Sequence, residues 1–209
     1  MDRIPRTATF AIAALTALAW VVTVVMGADG WAAATLGFIP ARFSGAQVPW
    51  PAVPAILTPL TATMVHSGIL HLALNLIIFI WCGNAVERVL GKASLVLLYL
   101  VGAYAAAIAQ WATNPMGVIP MVGASGAISA AIGAFALSFG RARQVSRSPR
   151  LNRWINIAWL LVAWTVLQAM MGWLAGGQGY LLATPAHIGG FLAGLLLQRP
   201  LLLWRYRSA

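Results

Sequence analysis

Acidic residues and cysteine are almost absent from this sequence. Its 209 residues include three Asp and Glu against 13 Lys and Arg, and the one cysteine is Cys82. A single cysteine excludes an internal disulfide and a thiolate metal cluster. Charged residues make up 8% of the chain, whereas they make up about a quarter of soluble domains. The composition therefore argues against a soluble fold.

Hydrophobic residues make up 61% of the chain and are gathered into long runs. A helix needs about 20 apolar residues to cross about 30 Å of hydrocarbon. Six runs qualify or nearly qualify: Ala8–Met26, Ala62–Cys82, Ala93–Trp111, Ala124–Phe139, Trp154–Leu174 and Leu181–Leu203. The sequence thus predicts an all-α polytopic membrane protein with six transmembrane helices, whose short fourth helix starts inside the membrane.

The basic residues lie at alternate connections between these runs, not in one patch, which argues against a nucleic-acid partner. They precede the first run and follow the second, fourth and sixth: Arg3, Arg6, Arg88, Lys92, Arg141, Arg143, Arg147, Arg150, Arg153, Arg199, Arg205 and Arg207. Because Lys and Arg near helix ends stay cytoplasmic, both termini are predicted to be cytoplasmic. A cleaved signal peptide over residues 1–30 is an alternative that leaves the remaining topology unchanged.

Two uncharged or weakly charged loops are predicted on the outer face. The segment 28–60 is rich in Trp and Pro, which suits an outer interfacial loop. The glycine-rich loop Ala175–Tyr180 is predicted to be a mobile cap beside the site. We expect one membrane domain over residues 1–209, with its core at 61–194, in the plasma membrane of a bacterium.

Polar side chains inside the runs are few, and such residues are usually functional. The candidates among them are three histidines together with one asparagine and one serine: His66, His71, His187, Asn75 and Ser125. The three acids lie outside the interiors of the runs, which excludes an intramembrane aspartyl protease, a His-Glu-x-x-His metalloprotease and a membrane-embedded Ser-His-Asp triad. A serine nucleophile would therefore have to act with histidine alone.

Three of these residues are predicted to lie at one depth. His71 is 16 residues before Glu87, and Ser125 is 16 residues before Arg141. His187 is likewise 12 or more residues before the basic residues that close the last run. At about 1.5 Å per helical residue, all three lie about 18–27 Å from the cytoplasmic boundary.

Ser125 opens the fourth run between two glycines, Gly123 and Gly126. Glycines permit a sharp turn, and unpaired N–H groups at a helix start can stabilise an oxyanion. The alternative is that these small residues only allow close helix packing.

His187 precedes Gly190 and Gly194, a spacing that lets another helix, such as that of Ser125, approach closely. His71 and Asn75 are four residues apart, so they share a helix face and can donate hydrogen bonds to a developing negative charge. For all three polar residues, interhelical hydrogen bonding is the alternative, and His66, nearer the outer surface, is assigned a structural role.

Together these residues resemble the rhomboid intramembrane serine proteases. The matching pieces cover Thr61 to Gly194: His66-x4-His71-x3-Asn75, Gly-Asn-Ala-Val-Glu-Arg-Val-Leu-Gly at 83–91, Gly-Ala-Ser-Gly at 123–126 and Ala-His-Ile-Gly-Gly at 186–190. The resemblance implies a catalytic dyad of Ser125 and His187, and an oxyanion hole formed by His71, Asn75 and the Ser125 N–H. It also implies a membrane-spanning substrate cut near its outer end, with no cofactor and no metal.

Two positions depart from the family pattern. Many members carry a Trp-Arg pair where this chain has Leu57-Thr58, and many carry an aromatic residue where it has Ser129. These departures concern the rigidity of the first loop and the positioning of His187.

Two other functions fit parts of the sequence. One is a transporter whose histidines relay protons or bind zinc, although His66 and His71 are poorly spaced for one helical face. The other is a rhomboid-like pseudoprotease that binds membrane helices without cutting them. The presence of both Ser125 and His187 argues against it.

Overall fold

The protein is built from helices throughout the part described by the computed structural model, residues 8–141, 144–177 and 183–207. In chain order the helices are α1 (Ala8–Val25), α2 (Asp29–Leu36), α3 (Pro40–Phe43), α4 (Thr58–Thr61), α5 (Ile69–Leu90), α6 (Lys92–Thr113), α7 (Ser125–Phe139), α8 (Pro149–Gly177) and α9 (Thr184–Arg205). Within these ranges the only β-pairing is one isolated bridge between Phe38 and Met121. The predicted all-α class is confirmed.

Among the described residues, five helices are long and apolar enough to cross a membrane: α1, α5, α6, α9 and α8 over Pro149–Met171. Helix α7 has 15 residues, so it is about 22 Å long and shorter than the roughly 30 Å of hydrocarbon. It corresponds to the short fourth run of the sequence. Its place at the centre of the bundle, against α5, α6 and α9, positions its first residue among three other helices.

The second apolar run does not become a helix where the sequence predicts one. Residues Ala62–Met64 form a 3₁₀ turn, and Gly68 is extended, so α5 starts only at Ile69. It continues to Leu90, where Gly91 ends it with φ of +88°, a left-handed conformation that favours glycine. The predicted run Ala62–Cys82 is therefore shifted by about two helical turns.

Helix α8 is longer than the predicted run Trp154–Leu174. Proline is favoured in a first helical turn because its missing N–H needs no acceptor there, and α8 starts at Pro149. Arg150 and Arg153, predicted to lie in a loop, are therefore in its first turns.

The prediction of a loop at Ala175–Tyr180 is partly wrong, because α8 is longer than the predicted run. Its first three residues form the last turn of α8, because that helix runs on to Gly177. The rest of the cap, together with the first residues of the predicted run Leu181–Leu203, lies outside the described residues.

Close packing of α7 on its neighbours depends on glycine. A Cβ atom at Gly190 would collide with the carbonyl oxygen of Gly126, and one at Gly194 with that of Ala130. On the other side, a Cβ at Gly126 would come within 2.6 Å of the Ala106 Cβ. The predicted approach of the Ser125 helix to the Gly190 and Gly194 surface is thus confirmed.

The segment 28–60 folds back over the end of the bundle where α7 starts. Phe38 is fully buried, and it exchanges backbone hydrogen bonds of 3.0 and 2.8 Å with Met121. Arg42 donates to the Val53 carbonyl at 2.6 Å, which closes the segment on itself. These contacts stabilise the segment, although it has Leu57 and Thr58 in place of the Trp-Arg pair.

A cluster of polar groups lies at the C-terminal end of α5, around Glu87. The carboxylate of Glu87 accepts hydrogen bonds from the N–H of Ala8, at 3.0 Å, and from the N–H and hydroxyl of Thr9, at 2.9 and 2.6 Å. It therefore satisfies donors at the start of α1, which have no acceptor within their own helix. Arg205 of α9 donates to the Glu87 carbonyl and covers Gly91. The 83–91 motif thus joins α1, α5 and α9.

Candidate active site

Ser125 is the first residue of α7, and the turn before it requires glycine. Gly123 has φ of +111°, a conformation that L side chains rarely adopt. A Cβ atom at this position would also lie 2.7 Å from both Cε1 and Nε2 of His71. Backbone conformation and lack of space therefore both demand glycine two residues before Ser125.

Hydrogen bonds from the backbone hold this turn in place. The N–H of Gly123 donates to the Ala62 carbonyl at 2.9 Å, and the N–H of Ala124 donates to His66 Nε2 at 3.5 Å. The first helical bond of α7 is made by the N–H of Ile128 to the Ala124 carbonyl. The N–H groups from Ser125 onward in the first turn have no acceptor within the helix, so this end carries partial positive charge and suits an anion.

His187 lies within hydrogen-bond distance of Ser125. Its Nε2 atom is 2.7 Å from Ser125 Oγ, although the two residues are 62 positions apart in the chain. Helix α9 presents the imidazole from its first turns, and only 8% of His187 is exposed. A serine hydroxyl at this distance from an imidazole nitrogen is the arrangement in which histidine can remove the hydroxyl proton. The two residues predicted to act together are therefore adjacent.

The other imidazole nitrogen contacts Gln168, which is not among the site residues predicted from the sequence. Gln168 of α8 places its side-chain oxygen, Oε1, 2.7 Å from His187 Nδ1, and it is itself 8% exposed. The signal available in the sequence was an amide within the fifth apolar run, which is as unusual there as the asparagine of the second run. Its partner could not be read from the chain, because α8 and α9 meet only in the folded protein.

His71 and Asn75 are one turn apart on α5. The Nδ1 atom of His71 is 3.0 Å from the hydroxyl of Ser67, and the opposite edge of its ring faces Gly123. Asn75 is buried and donates one amide hydrogen to the His71 carbonyl at 2.8 Å, within the helix. An amide has a second N–H. Both side chains thus lie on the helix face that is turned towards the start of α7.

His66 lies outside α5, in the connection that precedes it. Its ring is buried, its centroid is 5.0 Å from that of His71, and it accepts the Ala124 N–H. His66 therefore contacts the turn that precedes Ser125, not the serine hydroxyl.

Ser129 occupies the position where many rhomboids have an aromatic residue. Its hydroxyl donates to the Ser125 carbonyl at 2.8 Å, and its side chain is almost fully buried. A Cβ atom at Gly190 would lie 3.2 Å from the Ser129 Cβ, so α9 passes close to this point. The small side chain leaves room for that approach and leaves no ring to stack on His187.

The zinc-binding alternative weighed from the sequence requires three histidines to meet at one point. Among the residues described, no three His, Cys, Asp or Glu side chains are grouped so that they could hold a metal ion. His66 and His71 are neighbours, but His187 is directed to Ser125 and Gln168.

Comparison with known proteins identifies the family. The Rhomboid domain profile matches residues 53–204. The chain is 40% identical over 75 residues to rhomboid protease GluP of Bacillus subtilis, covering 36% of this chain and 14% of that protein. It is 28% identical over 138 residues to rhomboid protease GlpG of Pectobacterium atrosepticum, covering 64% and 44%.

A plant protein, RHOMBOID-like protein 4 of Arabidopsis thaliana, is 28% identical over 146 residues, covering 69% of this chain and 34% of that protein. The match therefore spans less than half the length of each of these relatives. The profile, in contrast, covers most of this chain, including every residue of the site described above. The chain belongs to the rhomboid family and is a multi-pass integral membrane protein.

Proposed function

We propose that this protein is an intramembrane serine endopeptidase that hydrolyses peptide bonds in or near the transmembrane segments of membrane proteins. The observation that carries the proposal is the 2.7 Å contact between Ser125 Oγ and His187 Nε2 at the start of α7. The family supports the same reaction, since two of the matched relatives are named rhomboid proteases.

The reaction begins when His187 Nε2 removes the hydroxyl proton of Ser125 and Oγ attacks the carbonyl carbon of the substrate. The resulting oxyanion accepts hydrogen bonds from the Ser125 N–H, from His71 and from the second amide N–H of Asn75. His187 then gives its proton to the leaving amine, and an acyl-enzyme on Ser125 remains.

Water completes the reaction by attacking the acyl-enzyme, with His187 again as the base. A cavity of about 20 Å³ beside Ser125 is lined by Gly123 and Gly126 among others. It is large enough for one water molecule. Gly123, Gly126 and His66 support the site by holding the turn, and neither a cofactor nor a metal has a part in these steps.

The proposed topology has six transmembrane helices, with α7 as the short fourth one. Both termini are cytoplasmic in this topology, because Arg141 after α7 and Arg205 at the last position of α9 lie at the end of the bundle away from Ser125. The domain covers residues 1–209, with its core at 61–194 and segment 28–60 in the outer interface. Membrane-spanning substrates thus reach Ser125 from the lipid bilayer and are cut near their outer ends. We assign the protein to the plasma membrane of a bacterium, whose anionic inner face suits the basic loops.

The proposal is tested with purified protein and a model single-span substrate in proteoliposomes. Wild type should cut the substrate, and Ser125→Ala should not. Ser138→Ala is the matched control, since Ser138 lies in the same helix and contacts Gln198 away from the site. A chelator should have no effect.

Three results would contradict the proposal. A folded wild type that binds the substrate without cutting it would favour the pseudoprotease. Inhibition by a chelator with reversal by zinc, or full activity of Ser125→Ala, would favour a metal site instead.

A further inference from the structure

Gln168 makes the one contact to His187 Nδ1 that is found in the part of the chain the structure describes. The distance of 2.7 Å is as short as that between His187 and Ser125, and both partners are almost fully buried. A buried polar group of this kind is costly unless its hydrogen bond is made with the right donor and acceptor. The contact therefore constrains which atom carries the imidazole proton.

An amide oxygen can only accept a hydrogen bond, so a contact with Oε1 requires a proton on His187 Nδ1. In neutral imidazole the other nitrogen, Nε2, then has a free lone pair. That is the atom directed at Ser125 Oγ, and the tautomer with the proton on Nδ1 is the one that can take the hydroxyl proton. The opposite tautomer would place two acceptors 2.7 Å apart at Gln168 and a donor where the base is needed.

We propose that Gln168 is a positioning residue that holds His187 with its proton on Nδ1, leaving Nε2 to act as the base towards Ser125. The inference rests on the proposed protease function for its catalytic consequence. It assigns to a neutral amide the orienting part that a carboxylate has in a Ser-His-Asp triad.

A neutral amide suits this location better than a carboxylate. An ionised carboxylate buried among apolar helices loses its hydration, and the loss is offset only by well-placed partners. Glutamine orients the ring and selects the tautomer without bringing a charge into the bundle. It stabilises the imidazolium less than a carboxylate would, so we expect catalysis to be slow for a serine protease.

Further contacts between α8 and α9 hold Gln168 in place. Trp164 lies one turn before Gln168, stacks on Phe191 with ring centroids 4.7 Å apart, and donates its indole N–H to the His187 carbonyl at 3.2 Å. The hydroxyl of Thr184 donates to the Gln168 carbonyl at 3.4 Å. Since residues four apart share a helix face, α8 contacts both the side chain and the backbone of His187. This support comes from the side of the ring opposite to Ser125.

The test compares Gln168→Met, which keeps the length of the side chain but has no amide oxygen, with Gln168→Glu, which keeps an oxygen at the same reach. In protein labelled with ¹⁵N-histidine, NMR should place the His187 proton on Nδ1 in wild type and in Gln168→Glu. Gln168→Met should lose this preference. The kcat for a single-span substrate should fall about 10- to 100-fold in Gln168→Met, the effect of one hydrogen bond to a group that becomes charged, with KM unchanged. Gln168→Glu should restore most of the kcat.

Gln198→Met is the matched control, because it removes an amide from the helix of His187 at a distance from the site. It should leave both readouts as in wild type. If Gln168→Met does not fold, Gln168→Asn, which draws the amide back by one methylene, should give the same losses. Wild-type kcat and an unchanged tautomer in Gln168→Met or Gln168→Asn would overturn the inference, as would a Gln168→Glu variant as impaired as Gln168→Met. A proton found on Nε2 in wild type would also overturn it. The NMR result stands apart from proteolysis, so a failure of the protease proposal is recognised separately by the Ser125→Ala comparison.

Discussion

Two buried polar clusters lie at opposite ends of this helix bundle, and they differ in what their hydrogen bonds leave available. At one end, both oxygens of Glu87 accept donors from the start of α1, so the cluster joins two helices. At the other end, hydrogen bonds run from Gln168 through His187 to Ser125 and finish at a hydroxyl oxygen. That oxygen lies beside a small cavity and beside the first N–H groups of α7, which have no acceptor within their own helix. Burial of polar groups therefore does not identify an active site by itself. A stronger indication is a buried nucleophilic atom that is still able to react and has hydrogen-bond donors near it.

The largest effect is expected from the dyad. Ser125→Ala and His187→Ala should each reduce cleavage by at least about 10³-fold, and the double variant should be no worse, because the two residues act as a unit. Thermal stability should change little, in contrast to changes at Glu87. Steady-state kinetics and thermal unfolding of the four proteins check this. Losses that multiply in the double variant would mean that the residues act independently.

The proposed oxyanion donors should come next. His71→Ala and Asn75→Ala should each lower kcat by about 10²- to 10³-fold, the effect of one lost donor, and change KM little. Comparison of kcat and KM for one substrate across the variants makes the distinction. A rise in KM with kcat unchanged would indicate that these side chains bind substrate and do not stabilise the transition state.

Changes at Glu87 should affect stability and spare the chemistry. Glu87→Ala removes the acceptor of three hydrogen bonds at the start of α1, and it should lower the free energy of unfolding by about 2–3 kcal/mol. Asp29→Ala is the matched control, since Asp29 is exposed and its loss should cost less than about 0.5 kcal/mol. Denaturant unfolding in detergent measures both. A folded Glu87→Ala protein with normal stability and no activity would remove the contrast between the two clusters.

The smallest effect is expected at His66, which contacts the turn before Ser125. His66→Ala should cost about 1 kcal/mol of stability, because the Ala124 N–H loses its acceptor, and it should lower kcat far less than His71→Ala. Thermal unfolding and kcat measured on the same preparation provide the check. A loss of kcat equal to that of His71→Ala, at unchanged stability, would place His66 in the chemistry.

The sequence predicted the contact between Ser125 and His187 because its local signals are strong. Glycines around Ser125 and after His187 indicated a sharp turn and a close helix contact, and the contacts of Gly123 and Gly190 agree with both. The start of α5 was missed because apolar residues continue from Ala62 to Ile69, and hydrophobicity cannot distinguish a 3₁₀ turn and an extended glycine from a helix. The start of α8 was missed because its first turns are polar.

Gln168 was missed for a different reason. An amide in an apolar run indicates that some partner exists, but the partner depends on how α8 docks against α9. That docking depends on pairs distant in sequence, such as Trp164 and Phe191, which no local pattern joins. Residues whose role comes from one tertiary contact are thus the part of a site that sequence reasoning is least able to predict.

If His187 activates Ser125, a fluorophosphonate should label that serine. The reagent reacts with an activated serine hydroxyl and needs no protein substrate, and mass spectrometry of the labelled peptide identifies the residue. We expect one label, on Ser125, in wild type with or without a chelator, and none in folded His187→Ala. Labelling of Ser125 in His187→Ala at the wild-type rate, or a label on another serine, would contradict it.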